Sequence, residues 1–193
     1  MPTYAVVTKV RAPDVEAAMA EGRVGGYVVA DDQGTSVLFD APRRRWITGR
    51  SLLRPARHLV RRTGRPAWVL LAASDVAQAI LVTADELLEL GWHAGWEPPA
   101  DPTEYVLDRK AWDALCQRVA DAWGDPAAGP RLGTVRNDPV PGRTAPPPAD
   151  LLRRVCAVFD LPDVAVGRSL LAHAEPGLFD AHRVEARARR WAF

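Results

Sequence analysis

Lysine is nearly missing from this chain. Lys9 and Lys110 are the only two in 193 residues, so arginine carries almost all of the positive charge. Cysteine is as scarce, and Cys116 and Cys156 lie far apart with no CxxC spacing. That excludes a disulfide framework and gives no zinc motif; two isolated thiols fit a reducing compartment. No apolar run approaches the roughly 20 residues that a membrane helix needs. The first residues lack the basic leader and long apolar stretch of a secretory signal, so the expected location is cytoplasmic. The sharpest absence is local. Between positions 41 and 74 there is no aspartate or glutamate.

That acid-free window holds nine arginines: Arg43, Arg44, Arg45, Arg50, Arg54, Arg57, Arg61, Arg62 and Arg65. The chain as a whole has 25 basic and 24 acidic residues, so the remainder carries a net charge of −8. A chain that is neutral on balance is therefore strongly polarised along its length. Such polarity bears on what the surface meets rather than on fold. Arginine over lysine, with abundant Ala, Pro and Gly, also matches the bias of GC-rich bacterial coding sequence, which supplies arginine without selecting for binding.

The first 91 residues read as an α+β unit. Residues 3–10 alternate and are rich in β-branched side chains, which predicts a strand. A short helix follows over 14–21. Residues 26–30 and 35–40 flank Asp31-Asp32-Gln33-Gly34, a hairpin signal. After the basic segment, 67–73 and 78–82 flank Ser74-Asp75 as a second hairpin. The order is β-α-β-β-α-β-β. It fits a ferredoxin-like split βαβ unit, or one strand followed by a duplicated α-β-β. Either gives a mostly antiparallel sheet of about five strands with helices on one face.

Beyond it, Thr83-Ala84-Asp85-Glu86 has capping-box form and predicts a short helix ending at Gly91. Residues 92–130 read as a Trp/Pro-rich connector and a helix over 109–123 capped by Asp108. Residues 131–148 read as a Pro-rich linker. Residues 149–193 read as a helical C-terminal extension packed on the sheet domain, with helices over 150–159, 164–173 and 178–191.

The basic segment is two-faced. Pro55 suits the first helical position, where no N–H is needed. Projected at helical spacing, Leu52, Leu53, Ala56, Leu59 and Val60 share one side. Arg54, Arg57, His58, Arg61 and Arg62 share the other. The first turn lacks acids and carries arginines, against the helix dipole. An anion seated by Thr48, Gly49, Ser51 and Arg54 would remove that conflict. Trp46, directly after Arg43–Arg45, is a candidate interface anchor. The candidate binding set is thus Arg43, Arg44, Arg45, Trp46, Thr48, Arg50, Ser51, Arg54, Arg57 and Arg61.

This face either pairs with the chain's own acids or meets an external anion. An acidic protein surface is the preferred external partner, in the manner of an immunity protein or accessory subunit. Nucleic acid is the alternative, although no RRM, KH or zinc-finger signature is present. A small phosphorylated ligand is a further option. No cofactor or metal motif stands out. An enzyme would need a site assembled from distant residues, such as His93 or the Asp180, His182 and Glu185 group. Cys116 and Cys156 fall on apolar helix stripes and read as core thiols.

Overall fold

The protein is described from a computed structural model, which covers residues 3–39, 49–138, 146–168 and 181–185. Its centre is a seven-stranded antiparallel sheet in the order β6-β5-β4-β1-β3-β2-β7. The strands are β1 (Thr3–Thr8), β2 (Gly26–Asp31), β3 (Gly34–Phe39), β4 (Ala67–Ala72), β5 (Val76–Val82), β6 (Leu87–His93) and β7 (Ala181–Val184). Between them come α1 (Ala12–Gly22), α2 (Gly49–Thr63), α3 (Pro102–Trp123), a 3-10 turn (Pro126–Ala128), α4 (Gly129–Gly133) and α5 (Pro148–Val158). The inner four strands, β4-β1-β3-β2, with α1 and α2 as crossovers, follow the split βαβ order. β1 lies between the second strand of one α-β-β stretch and the first strand of the other, so equivalent strands do not flank it as in a symmetric duplication.

Helices cover both faces, not one. Strands with apolar residues at successive positions must bury both sides. β4 does so: Val69 faces one core and Trp68 and Leu70 the other. On the first face, Val15, Ala18 and Met19 of α1 and Ala56, Leu59 and Val60 of α2 pack on Val6, Val37, Val69 and Ile80. On the second, Cys116 and Val119 of α3, Leu132 of α4, and Leu152 and Val155 of α5 pack on Trp68, Leu81, Leu90 and Trp92. Trp68 anchors this layer, with Phe159 at 5.3 Å and Trp123 at 6.3 Å between ring centroids. Residues 165–168 close the sheet beside β1, where the Gly167 N–H donates to Thr3 Oγ1 at 2.7 Å and the Tyr4 N–H to the Arg168 carbonyl.

Four local expectations change. The 83–86 pattern caps no helix. Thr83 Oγ1 does accept from the Asp85 and Glu86 N–H groups, at 3.3 and 3.0 Å, but these bonds close the tight turn into β6. Leu88, Leu90 and Trp92 then point inward while Glu89, Gly91 and His93 point out, the period of a strand. The third helix begins at Pro102, not Arg109, with Asp101 accepting from the Thr103 N–H at 2.7 Å. The stretch expected as a C-terminal helix contains β7, whose Val184 and His182 pair with Gly26 and Val28. Strand pairing at the sheet edge outweighs the helical preference of its sequence. Residues 164–167 form turns, and the rest of the helix expected over 164–173 extends beyond the described residues.

Candidate basic interaction surface

α2 exists because its apolar residues recur at helical spacing over a hydrophobic sheet. Ala56, Leu59 and Val60 are buried, and Leu53 packs partly against the same core. The helix opens at Gly49, so Pro55 lies inside it rather than at its start. Proline brings no N–H for the Ser51 carbonyl; burial of the apolar stripe outweighs that loss. Two of its polar side chains are also held, one against α1 and one within the helix. His58 Nε2 lies 3.0 Å from the Ala18 carbonyl of α1. Thr63 Oγ1 donates to the Leu59 carbonyl at 2.8 Å.

The opposite side is cationic. Arg54, Arg57, Arg61, Arg62 and Arg65 are all exposed. Arg62 pairs with Glu21 of α1. Arg54, Arg57, Arg61 and Arg65 have no side-chain hydrogen bond or ion pair among the described residues. The nearest acids are instructive. A groove of about 270 Å³ separates Arg57 and Arg61 from Asp85 and Glu86. Glu86 is taken by Arg118 of α3, at close contact. Internal neutralisation thus reaches Arg62 and leaves four guanidinium groups of the described surface in solvent. Of Arg50 and Ser51 only the backbone, in the first turn of α2, is described. Arg43, Arg44, Arg45, Trp46 and Thr48 lie outside the described residues, so the expected anion seat is represented only by the Gly49 and Ser51 backbone and by Arg54.

The other candidate groups do not converge. His182 Nδ1 contacts Glu16 Oε1 of α1 at 2.8 Å, while Glu185 accepts from Arg183. Asp180 lies outside the described residues. His93, at the end of β6, contributes its carbonyl to the Asn137 side chain at 2.6 Å. Among the described residues no three His, Cys, Asp or Glu side chains group as metal ligands. Both cysteines are buried free thiols. Burial pushes each up to about 12, with the Asp113 charge adding to the effect at Cys116 and that of Asp163 at Cys156. A thiol held neutral is a poor nucleophile.

One charged residue has a role that the sequence concealed. Arg136 is only 11% exposed. Its Nε donates to both Asp138 oxygens at 3.0 and 2.8 Å, and its Nη2 to Asp108 at 3.4 Å. Its guanidinium lies 5.9 Å from the ring centroids of both Trp96 and Trp112. Trp92 meets Trp112 edge-on at 5.7 Å and donates to the Val135 carbonyl at 2.9 Å. Several tryptophans of the supposed connector therefore clamp the segment after α4 onto α3 and β6. No helix of the described residues is long and apolar enough to cross a membrane. Comparison with protein-family models, with curated proteins and with solved structures yields no match, so any functional reading rests on this geometry.

Proposed function

We propose that the chain is a non-enzymatic intracellular interaction protein that meets an acidic protein surface with the outward face of α2. The observation that supports it is the exposure of Arg54, Arg57, Arg61 and Arg65 without an ion-pair or side-chain hydrogen-bond partner among the described residues, in a chain whose remainder carries an acidic surplus. Grouped like charges repel one another and weaken the compact state slightly. An opposing acidic surface relieves that repulsion and speeds encounter. The helix is anchored by its apolar side, so its arginines are offered from a rigid support. The free, buried thiols accord with a reducing compartment.

The test separates a protein partner from nucleic acid. The purified protein and an Arg54→Glu/Arg57→Glu/Arg61→Glu variant are immobilised and exposed to cell extract at about 50 and about 200 mM salt. Retained proteins are purified and recombined one at a time with the bait. In parallel, both baits are titrated with mixed-sequence DNA and RNA. The proposal expects a pairwise complex with an acidic protein, lost in the variant and weakened by salt. Salt-steep nucleic-acid binding, abolished by the variant and unaccompanied by any pairwise protein complex, would overturn it.

A further inference from the structure

The cationic surface does not end with α2. Because α1 and α2 are successive crossovers on one sheet face, the start of α1 lies beside the end of α2. An open groove of about 690 Å³ runs between them. Lys9 and Arg11 stand on one side and Arg62 and Arg65 on the other, over a floor that includes the buried Val10 and Ala18. Among the described residues, Asp14 is the only acid lining it. Arg62 is held by Glu21 at 2.5 Å, but two other ion pairs there are loose: Arg11 to Asp14 at 3.7 Å and Lys9 to Asp160 at 3.9 Å, all four side chains about half exposed or more. Such pairs contribute little and yield readily to a better anion.

We propose that the interaction surface turns the end of α2 and continues into this groove, where it holds an extended, Asp/Glu-rich segment of the partner. This rests on the reading of α2 given above. Three features favour a carboxylate-bearing chain over a compact phosphate. The cations come from separate elements, Lys9 and Arg11 at the start of α1 and Arg62 and Arg65 at the end of α2, and so offer several points of charge. The Thr63 hydroxyl, the neutral side-chain donor lining the groove, is already bonded to Leu59. Val10, Ala17 and Ala18 supply apolar contacts between the cations, suited to the small side chains between acids. From Arg54 to Thr63 the helix advances about 13 Å, which an extended chain covers in about four residues at roughly 3.3 Å each.

The experiment uses a fluorescent peptide of about ten residues alternating Glu and Ala, with inorganic triphosphate as competitor. The proteins are the full chain, the α2 variant above, and a groove variant, Lys9→Glu/Arg11→Glu/Arg65→Glu. A Lys9→Gln/Arg11→Gln/Arg65→Gln variant replaces the last if charge reversal disturbs folding, as judged by circular dichroism. The proposal expects the peptide to bind the full chain and to lose about tenfold or more in affinity with either variant. Loss in the α2 variant alone overturns the groove and leaves the α2 reading intact. Failure of the peptide to bind the full chain overturns the extended acidic occupant, and the α2 reading is then judged by its own pairwise test. Triphosphate that binds the groove more tightly than the peptide overturns the choice of a carboxylate ligand.

Discussion

Replacing Arg136 by methionine should be among the most damaging single changes on the surface of this protein. The substitution keeps much of the side-chain volume and removes the charge. Asp138, 27% exposed, then loses the Nε–H that both of its oxygens share. Breaking a buried pair by removing one partner costs about 3–5 kcal/mol. Water reaching Asp138 places this case at the lower end of that range. Two cation–π contacts are lost as well, each worth about 0.5–1 kcal/mol. Against this, Arg136 Nη1 is buried without a hydrogen-bond partner, and its removal returns about 1 kcal/mol or more. The net expectation is a destabilisation of about 3 kcal/mol. For a chain of this length that lowers the melting temperature by roughly 6–12 °C. Urea unfolding followed by tryptophan fluorescence measures it, and calorimetry checks it. Arg136→Lys should fall between, because an ammonium keeps the charge without the planar fork. A loss below about 1 kcal/mol for Arg136→Met would refute the view that this residue clamps the segment after α4.

The cysteines should resist a thiol reagent at neutral pH and react fully only in denaturant, because both are buried. Their linkage has a definite sign. The ordinary value is 9.0 and the folded value about 12, so the unfolded chain loses these protons first as pH rises. Stability is unaffected by them below about pH 9 and falls above it by about 1.4 kcal/mol per pH unit per thiol. A Cys116→Ala/Cys156→Ala variant should therefore flatten the alkaline limb of a stability–pH curve; an unchanged limb would contradict this. Gly34→Ala should cost about 2 kcal/mol or more in urea unfolding. The backbone there has φ +144°, and a Cβ would stand 2.2 Å from the Thr8 carbonyl.

Much of the sheet was legible because burial imprints itself on sequence. The strands from β1 to β5 and both hairpins follow from apolar runs punctuated by Asp-Gln-Gly and Ser-Asp. The amphipathic halves of α2 and α5 follow from helical spacing. β6 was hidden by Thr83, whose hydroxyl makes the hydrogen bonds of a helix cap inside a turn; the alternation of Leu88, Leu90 and Trp92 was the better guide. β7 is short and its strand character comes from β2 alongside it, which no local pattern encodes. Helices on both faces were foreshadowed by β4, where Trp68, Val69 and Leu70 are consecutive apolar residues. Arg136 could not be read because its partners, from Trp96 to Asp138, meet only through folding. For the basic surface, the two-faced character of α2 was legible from residue spacing. Which arginines stay unpaired was not, since this depends on Glu86 being drawn to Arg118 and Glu21 to Arg62.

The measurement closest to the central claim is the affinity between the purified chain and a purified acidic partner, by calorimetry at about 50 mM salt. It is made for the full chain and for the Arg54→Glu/Arg57→Glu/Arg61→Glu variant, both confirmed folded. If the outward face of α2 is the binding surface, the variant binds at least about a hundredfold more weakly, or about 2.7 kcal/mol. Equal affinity of the two proteins would contradict the account.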